Sequence, residues 1–103
     1  RRGAHHLAMV EVEVRNVAEL DAALAAKADG IMLDNFATAD LGPAVARVRA
    51  SGFPILVEAS GNMTLERIPE VARSGVDLIS VGALTHSAPA ADISMLLDRP
   101  DEK

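Results

Sequence analysis

The chain has 103 residues, half of them hydrophobic but only two aromatic, and a formal net charge of −5. That length forms one domain, burying about two-thirds of its unfolded surface, and the lack of cysteine excludes disulfides, thiolate catalysis and Cys-based zinc sites together. The acidic balance argues against a broad nucleic-acid surface and no apolar run approaches the roughly 18 residues of a membrane helix, which predicts a soluble cytoplasmic protein with neither nucleic acid nor membrane as partner.

Arg1-Arg2-Gly3 leads quickly into a buried-type strand pattern, which reads as a piece of something longer. His5 and His6 read as solvent-facing and carry no assignment. The first strand is predicted over 10–14, where alternation puts Val10, Val12 and Val14 on one face and Glu11 and Glu13 on the other. Strands of a parallel sheet covered on both sides are continuous apolar runs. The two glutamates therefore mark either an edge strand with one wet face or a polar barrel mouth, with Glu13 nearer the carboxyl end.

Asn16 followed by Glu19 forms a capping-box start. Val17, Leu20, Leu24 and Ala28 then carry a helical apolar stripe, with Gly30 just past its end. A second strand over 30–33 ends in Asp34-Asn35. A second helix runs from near Thr38 through Leu41, Val45 and Val48 to a stop at Gly52, its first turn weakened by Gly42-Pro43. A third strand over 54–59 ends in Ser60-Gly61, with Glu58 and Ser60 on one face. The third helix starts near Thr64, with Leu65, Ile68 and Val71 on one face, or in earnest near Ile68 because Pro69 lacks a backbone donor; it stops at Gly75. A fourth strand over 76–81 delivers Gly82, with His86 close behind. The domain spans 1–97, and the charged stretch 98–103 with Pro100 reads as a tail.

Strand centres near Val12, Leu33, Val57 and Ile79 are almost evenly spaced. The fold class is therefore α/β. Four βα units with parallel strands form half of an incomplete TIM-like α/β barrel, a full barrel taking about 250 residues. An open four-stranded sheet is the second architecture. A free half-barrel exposes edges and inward strand faces, which predicts a homo-oligomer. In parallel sheets ligands sit at the carboxyl ends of the strands, and Glu13, Asp34, Ser60, Gly61, Gly82 and His86 all fall there. An acid at a strand end is also a common helix cap, a histidine is more often a structural hydrogen-bonder than a catalyst, and Gly82 with the small residues after it suits a phosphate more weakly than a full P-loop.

Taken in order, Val10-Glu11-Val12-Glu13-Val14, Ile31-Met32-Leu33-Asp34-Asn35, Glu58-Ala59-Ser60-Gly61, Ser74-Gly75-Val76-Asp77 and the run from Ile79 through Gly82-Ala83-Leu84-Thr85-His86-Ser87-Ala88-Pro89 closely resemble the carboxyl-terminal half of the quinolinate phosphoribosyltransferases, from about Val10 to Ile93. The resemblance implies an incomplete α/β barrel that joins quinolinate to phosphoribosyl pyrophosphate and releases pyrophosphate and carbon dioxide to give nicotinate mononucleotide, with Mg2+ assisting. It implies that Glu13 and Asp34 meet the ribose hydroxyls and the metal, and that Ser60, Gly61, Gly82 and His86 hold the 5′-phosphate. Carboxylate oxygens suit magnesium, and backbone N–H groups, a hydroxyl and an imidazole suit a phosphate. Asn62 departs from the second glycine of many relatives.

A site for these anionic substrates needs cations, yet Lys27, Arg47, Arg49, Arg67 and Arg73 fall on helices or helix ends, and only Arg15 follows a strand end. The family draws its cations from earlier in the chain and from a partner subunit. A related phosphoribosyltransferase with another acceptor, or a non-catalytic half-barrel that binds a sugar phosphate, fits the same residues.

Overall fold

The computed structural model describes residues 9–81 and the backbone of 93–96. Its elements alternate in chain order: β1 (Glu11–Val14), α1 (Val17–Ala25), β2 (Gly30–Asp34), α2 (Thr38–Ala50), β3 (Leu56–Ser60), α3 (Ile68–Arg73), β4 (Leu78–Val81) and β5 (Ile93–Leu96). The sheet order is sequential, β1-β2-β3-β4-β5, with β1 through β4 parallel. Sequential order with neighbouring helices in contact, α1 on α2 and α2 on α3, is the arrangement of a barrel segment. A doubly wound sheet reverses its strand order and carries helices on both faces. The four expected parallel strands and the three helices between them are present, the segment that would complete the fourth unit lies outside the described residues, and β5 is an addition. It pairs antiparallel with β4, matching Val81 to Ile93 and Leu78 to Leu96.

The register sorts the residues by face. Val14, Ile31, Leu33, Val57, Ala59, Ile79 and Val81 are 0–2% exposed and form the core with Leu20, Leu41, Val48 and Val71 of the helices. The alternate residues, Glu11 and Glu13, Met32 and Asp34, Glu58 and Ser60, and Leu78 and Ser80, lie on the opposite face, because Met32 pairs with Glu58, Asp34 with Ser60, and Glu58 with Leu78. Burying the helix-side apolar groups removes roughly 1.5–3 kcal/mol worth of exposed side chain each, which is what holds this half-sheet to its helices.

Local chemistry explains the element ends. The Asn16 carboxamide oxygen accepts from the Glu19 N–H at 2.8 Å, as the cap requires, while the Glu19 carboxylate reaches one residue further back than in a capping box and accepts from the Arg15 N–H at 2.7 Å. Its end differs from expectation. Lys27, not Gly30, takes the left-handed conformation (φ 59°), and Gly30 opens β2 with ordinary backbone. Gly52 and Gly75 occupy their expected positive-φ stops at 82° and 102°. Helix α2 runs straight through Pro43, losing one internal donor on an exposed side. Helix α3 starts at Ile68 with Pro69 in its first turn, where the missing N–H has no helical partner anyway. Leu65 lies outside that helix and is 68% exposed instead of joining the apolar stripe.

Candidate functional site

The carboxyl ends of β1, β2 and β3 bring Glu13, Asp34 and Ser60 to one end of the helix-free face. Asp34 and Ser60 are direct register partners, and Glu13 is paired with Met32, one pleat behind them on the same face. Glu13 is exposed and Asp34 half-buried. Arg15, just past β1, stands between the two acids: its Nε lies 3.5 Å from Asp34 Oδ2 and a terminal nitrogen 3.8 Å from Glu13 Oε2. Glu58 sits deeper on the same face and is buried.

Beside these acids the β2 and β3 ends are bound to each other. Asn35 follows Asp34 in the left-handed region (φ 60°), and its N–H donates to the Ser60 carbonyl at 2.9 Å. Its side-chain Oδ1 accepts from the Asn62 N–H at 3.2 Å. Gly61 lies against this residue at φ 105°, and a Cβ there would fall 2.6 Å from Asn35 Oδ1 and 2.8 Å from its N. The resemblance gave this glycine a place in holding the 5′-phosphate. The structure gives it a second reason, because the neighbouring loop already occupies the space a side chain needs.

The cations are placed as follows. Arg47 pairs with Asp21 on the outer helices at 2.6 and 3.0 Å, and its hydrogen bond holds the Asp21 carboxyl below the ordinary carboxylate value. Arg49 binds Asp77 Oδ2 at 2.9 Å and the Ile55 carbonyl at 2.8 Å, at the amino-terminal end of the strands. Arg67 lies nearer the site than its place on a helix suggested, but its donors go to protein oxygens: Thr38 Oγ1 at 2.7 Å, the Asn62 carbonyl at 2.9 Å and the Phe36 carbonyl at 2.6 Å. Sequence reasoning passed over Asn35 and Arg67. The signals available were an Asn directly after a strand-end acid, a residue type that tolerates positive φ, and an Arg at the start of a helix.

Among the described residues no group of three or more His, Cys, Asp or Glu could hold a metal ion. Two carboxylates remain, Glu13 and Asp34, and this donor set fits magnesium, which keeps several waters and binds through one or two carboxylates plus substrate phosphates. Gly82 and His86, the expected remainder of a phosphate cradle, lie outside the described residues, as does the tail expected over 98–103. Among the described residues no helix is long and apolar enough to cross a membrane.

Residues 1–96 match the family described as quinolinate phosphoribosyl transferase, C-terminal domain. The nicotinate-nucleotide pyrophosphorylase [carboxylating] of Rattus norvegicus is 41% identical over 97 residues, covering 94% of this chain and 32% of that protein. A probable nicotinate-nucleotide pyrophosphorylase [carboxylating] of Methanocaldococcus jannaschii is 42% identical over 90 residues, covering 84% of this chain and again 32% of the relative. The solved structure of the nicotinate-nucleotide pyrophosphorylase from Francisella tularensis superimposes with a TM-score of 0.67 at 43% identity, covering 84% of this chain and 31% of that one. The chain spans about a third of the length of the relatives it matches.

Proposed function

Because this chain belongs to the quinolinate phosphoribosyl transferase C-terminal domain family, we propose that it supplies the carboxylate-bearing and phosphate-facing part of an enzyme that transfers a phosphoribosyl group from phosphoribosyl pyrophosphate to quinolinate. Decarboxylation completes the reaction and gives nicotinate mononucleotide, pyrophosphate and carbon dioxide, a step of NAD biosynthesis. The observation that carries this reading is the line of Glu13, Asp34 and Ser60 on one open face at the carboxyl ends of adjacent parallel strands.

In this reading Glu13 and Asp34 accept hydrogen bonds from the ribose hydroxyls. Their negative charge lies beside the anomeric carbon as positive charge grows there, and such preorganised charge is the largest usual source of rate. The same two carboxylates would hold magnesium, which would supply positive charge to offset the negative charge of the pyrophosphate leaving group. The Ser60 hydroxyl and the backbone N–H groups at Gly61 and Gly82, with His86, grip the 5′-phosphate and fix the sugar. Arg15 is the one cation of the described residues that neither a helix partner nor a carbonyl occupies at this mouth, and it balances both acids. The cations that read quinolinate come from the rest of the enzyme and from a second subunit, so the working form is a cytoplasmic homo-oligomer.

Turnover tests this directly. The isolated 103-residue chain shows no measurable consumption of quinolinate, while a full-length enzyme carrying it forms nicotinate mononucleotide in a magnesium-dependent way. A full-length enzyme that accepts a different carboxylated ring in place of quinolinate refutes the acceptor assignment. One that binds phosphoribosyl pyrophosphate without turning over any acceptor refutes catalysis.

A further inference from the structure

The loops after β2 and β3 are stapled together by two residues, Asn35 and Arg67. Asn35 does so in the middle, through its N–H to the Ser60 carbonyl and its Oδ1 from the Asn62 N–H. Arg67 does so at the outside. Its guanidinium is half-buried and donates from Nε to Thr38 Oγ1 at the start of α2, from Nη2 to the Phe36 carbonyl in the β2 loop, and from Nη1 to the Asn62 carbonyl in its own loop. Arg67 is itself seated by its N–H on Thr64 Oγ1 at 3.2 Å. All three nitrogens of that guanidinium donate to protein oxygens, which uses three of its five N–H groups and fixes its plane between the loops, so its role is geometric.

The two loops hold different halves of the proposed co-substrate. The β2 loop begins at Asp34, which takes the ribose hydroxyls; the β3 loop begins at Ser60-Gly61, which takes the 5′-phosphate. The distance between those groups is set by the covalent ribose, so the two loops must stand at one separation. A misplacement of about 1 Å between reacting or gripping groups is enough to cost about a hundredfold in rate. Backbone carbonyls and an Asn in the left-handed region are rigid anchors, and a planar three-way guanidinium is pre-organised to hold them.

We infer that Asn35 and Arg67 are positioning residues that fix the spacing between the ribose-binding and phosphate-binding loops, and that they control recognition of the phosphorylated sugar rather than of the acceptor. This inference rests on the proposed reaction for its substrate and on the observed bonds for its geometry.

The test uses a full-length enzyme carrying this domain, with Arg67→Ala, Arg67→Lys, and Asn35→Gly, which keeps the left-handed backbone but removes the Oδ1 acceptor. Arg67→Ala and Asn35→Gly raise the KM for phosphoribosyl pyrophosphate about tenfold while the KM for quinolinate moves less than about twofold; Arg67→Lys lies between. Hydrogen exchange at the Asn62 N–H accelerates in both severe variants. Inorganic phosphate, titrated against the amide resonances of Ser60 and Gly61, binds correspondingly more weakly. If the KM values for both substrates rise together with a fall in Tm, the staple is only structural and the inference fails. It also fails if exchange at Asn62 accelerates with phosphate affinity and KM unchanged. Should the unsubstituted enzyme prove inactive on quinolinate, the proposed reaction falls, and the phosphate titration alone still decides the staple: weaker binding in the variants upholds it and equal binding overturns it.

Discussion

Asp34 and Glu13 reach the open face from adjacent strands, yet their surroundings differ. The Asp34 side chain is 19% exposed and that of Glu13 is 48% exposed. Changing either to its amide removes a charge without changing its shape. In a full-length enzyme Asp34→Asn and Glu13→Gln therefore lower magnesium-dependent turnover strongly while leaving the melting temperature nearly unchanged. Glu11→Gln, one pleat further from the strand end, lowers it less; a larger loss at Glu11 than at Glu13 overturns the assigned depth. Gly61 makes the opposite kind of prediction, in stability. Alanine there must adopt φ near 105° and meet Asn35 Oδ1 at 2.6 Å, both of which require the loop to move. Gly61→Ala costs about 1–3 kcal/mol of folding free energy. Urea denaturation measures it, and a loss below about 0.5 kcal/mol would show that the loop yields without strain.

At the scale of elements, Asp77 fastens the end of the sheet away from the site. Asp77 Oδ2 accepts from the Val57 N–H at 2.8 Å and from Arg49 at 2.9 Å, tying α2 to the start of β3 and β4. Asp77→Ala leaves a guanidinium and a strand N–H without that partner and destabilises by about 2–3 kcal/mol, read by denaturant melting. Phosphate affinity at the opposite end stays unchanged. Much of this level was legible in advance. The Asn16 cap, the positive-φ stops at Gly52 and Gly75 and the alternation of β1 are all local signals whose chemistry is written in two or three residues. Lys27 was not, because nothing about lysine announces a left-handed turn; the bond from its N–H to the Leu24 carbonyl and the pairing of β2 impose it. Likewise β5 depends on pairing with a strand a dozen positions earlier, and the order of residues alone does not specify the direction of approach. The individual site acids were visible as strand-end residues, whereas the bonds of Arg67 to the β2 loop join residues about thirty positions apart and need the folded chain.

At the scale of the whole molecule, charge and exposed surface decide behaviour. The Asp21 carboxyl is lowered from its ordinary value of 3.8 chiefly by the hydrogen bond from Arg47, on the outer surface of the helices. A lowered folded-state value stabilises above the unfolded one and is lost as the pH falls through it, so this pair acts at neutral pH and fades in acid. Because it is exposed, the contribution is small and screened by salt. Asp21→Asn accordingly melts slightly earlier at neutral pH and low salt, and the difference closes in strong acid or high salt; a difference that persists in both would assign the effect to something other than the ion pair. The sheet face that no described helix covers has the larger consequence. The isolated chain associates with itself in light scattering, since Leu56 is 41% exposed on the face where barrel strands pack inward. A concentration-independent monomer contradicts this.

The register of the sheet also makes the domain sensitive to parity. Asp34 lies in line with Ser60, and Leu33 in line with Val14 and Ala59, so polar and apolar rows alternate across several strands at once. Inserting one residue within β2 would carry Asp34 into the helix layer and turn Leu33 outward, exchanging a core residue for a site residue in a single step. An insertion of two residues restores the alternation and shifts only the depth. Lengthening by even numbers is thus the route by which such a strand can change while remaining part of both the core and the mouth.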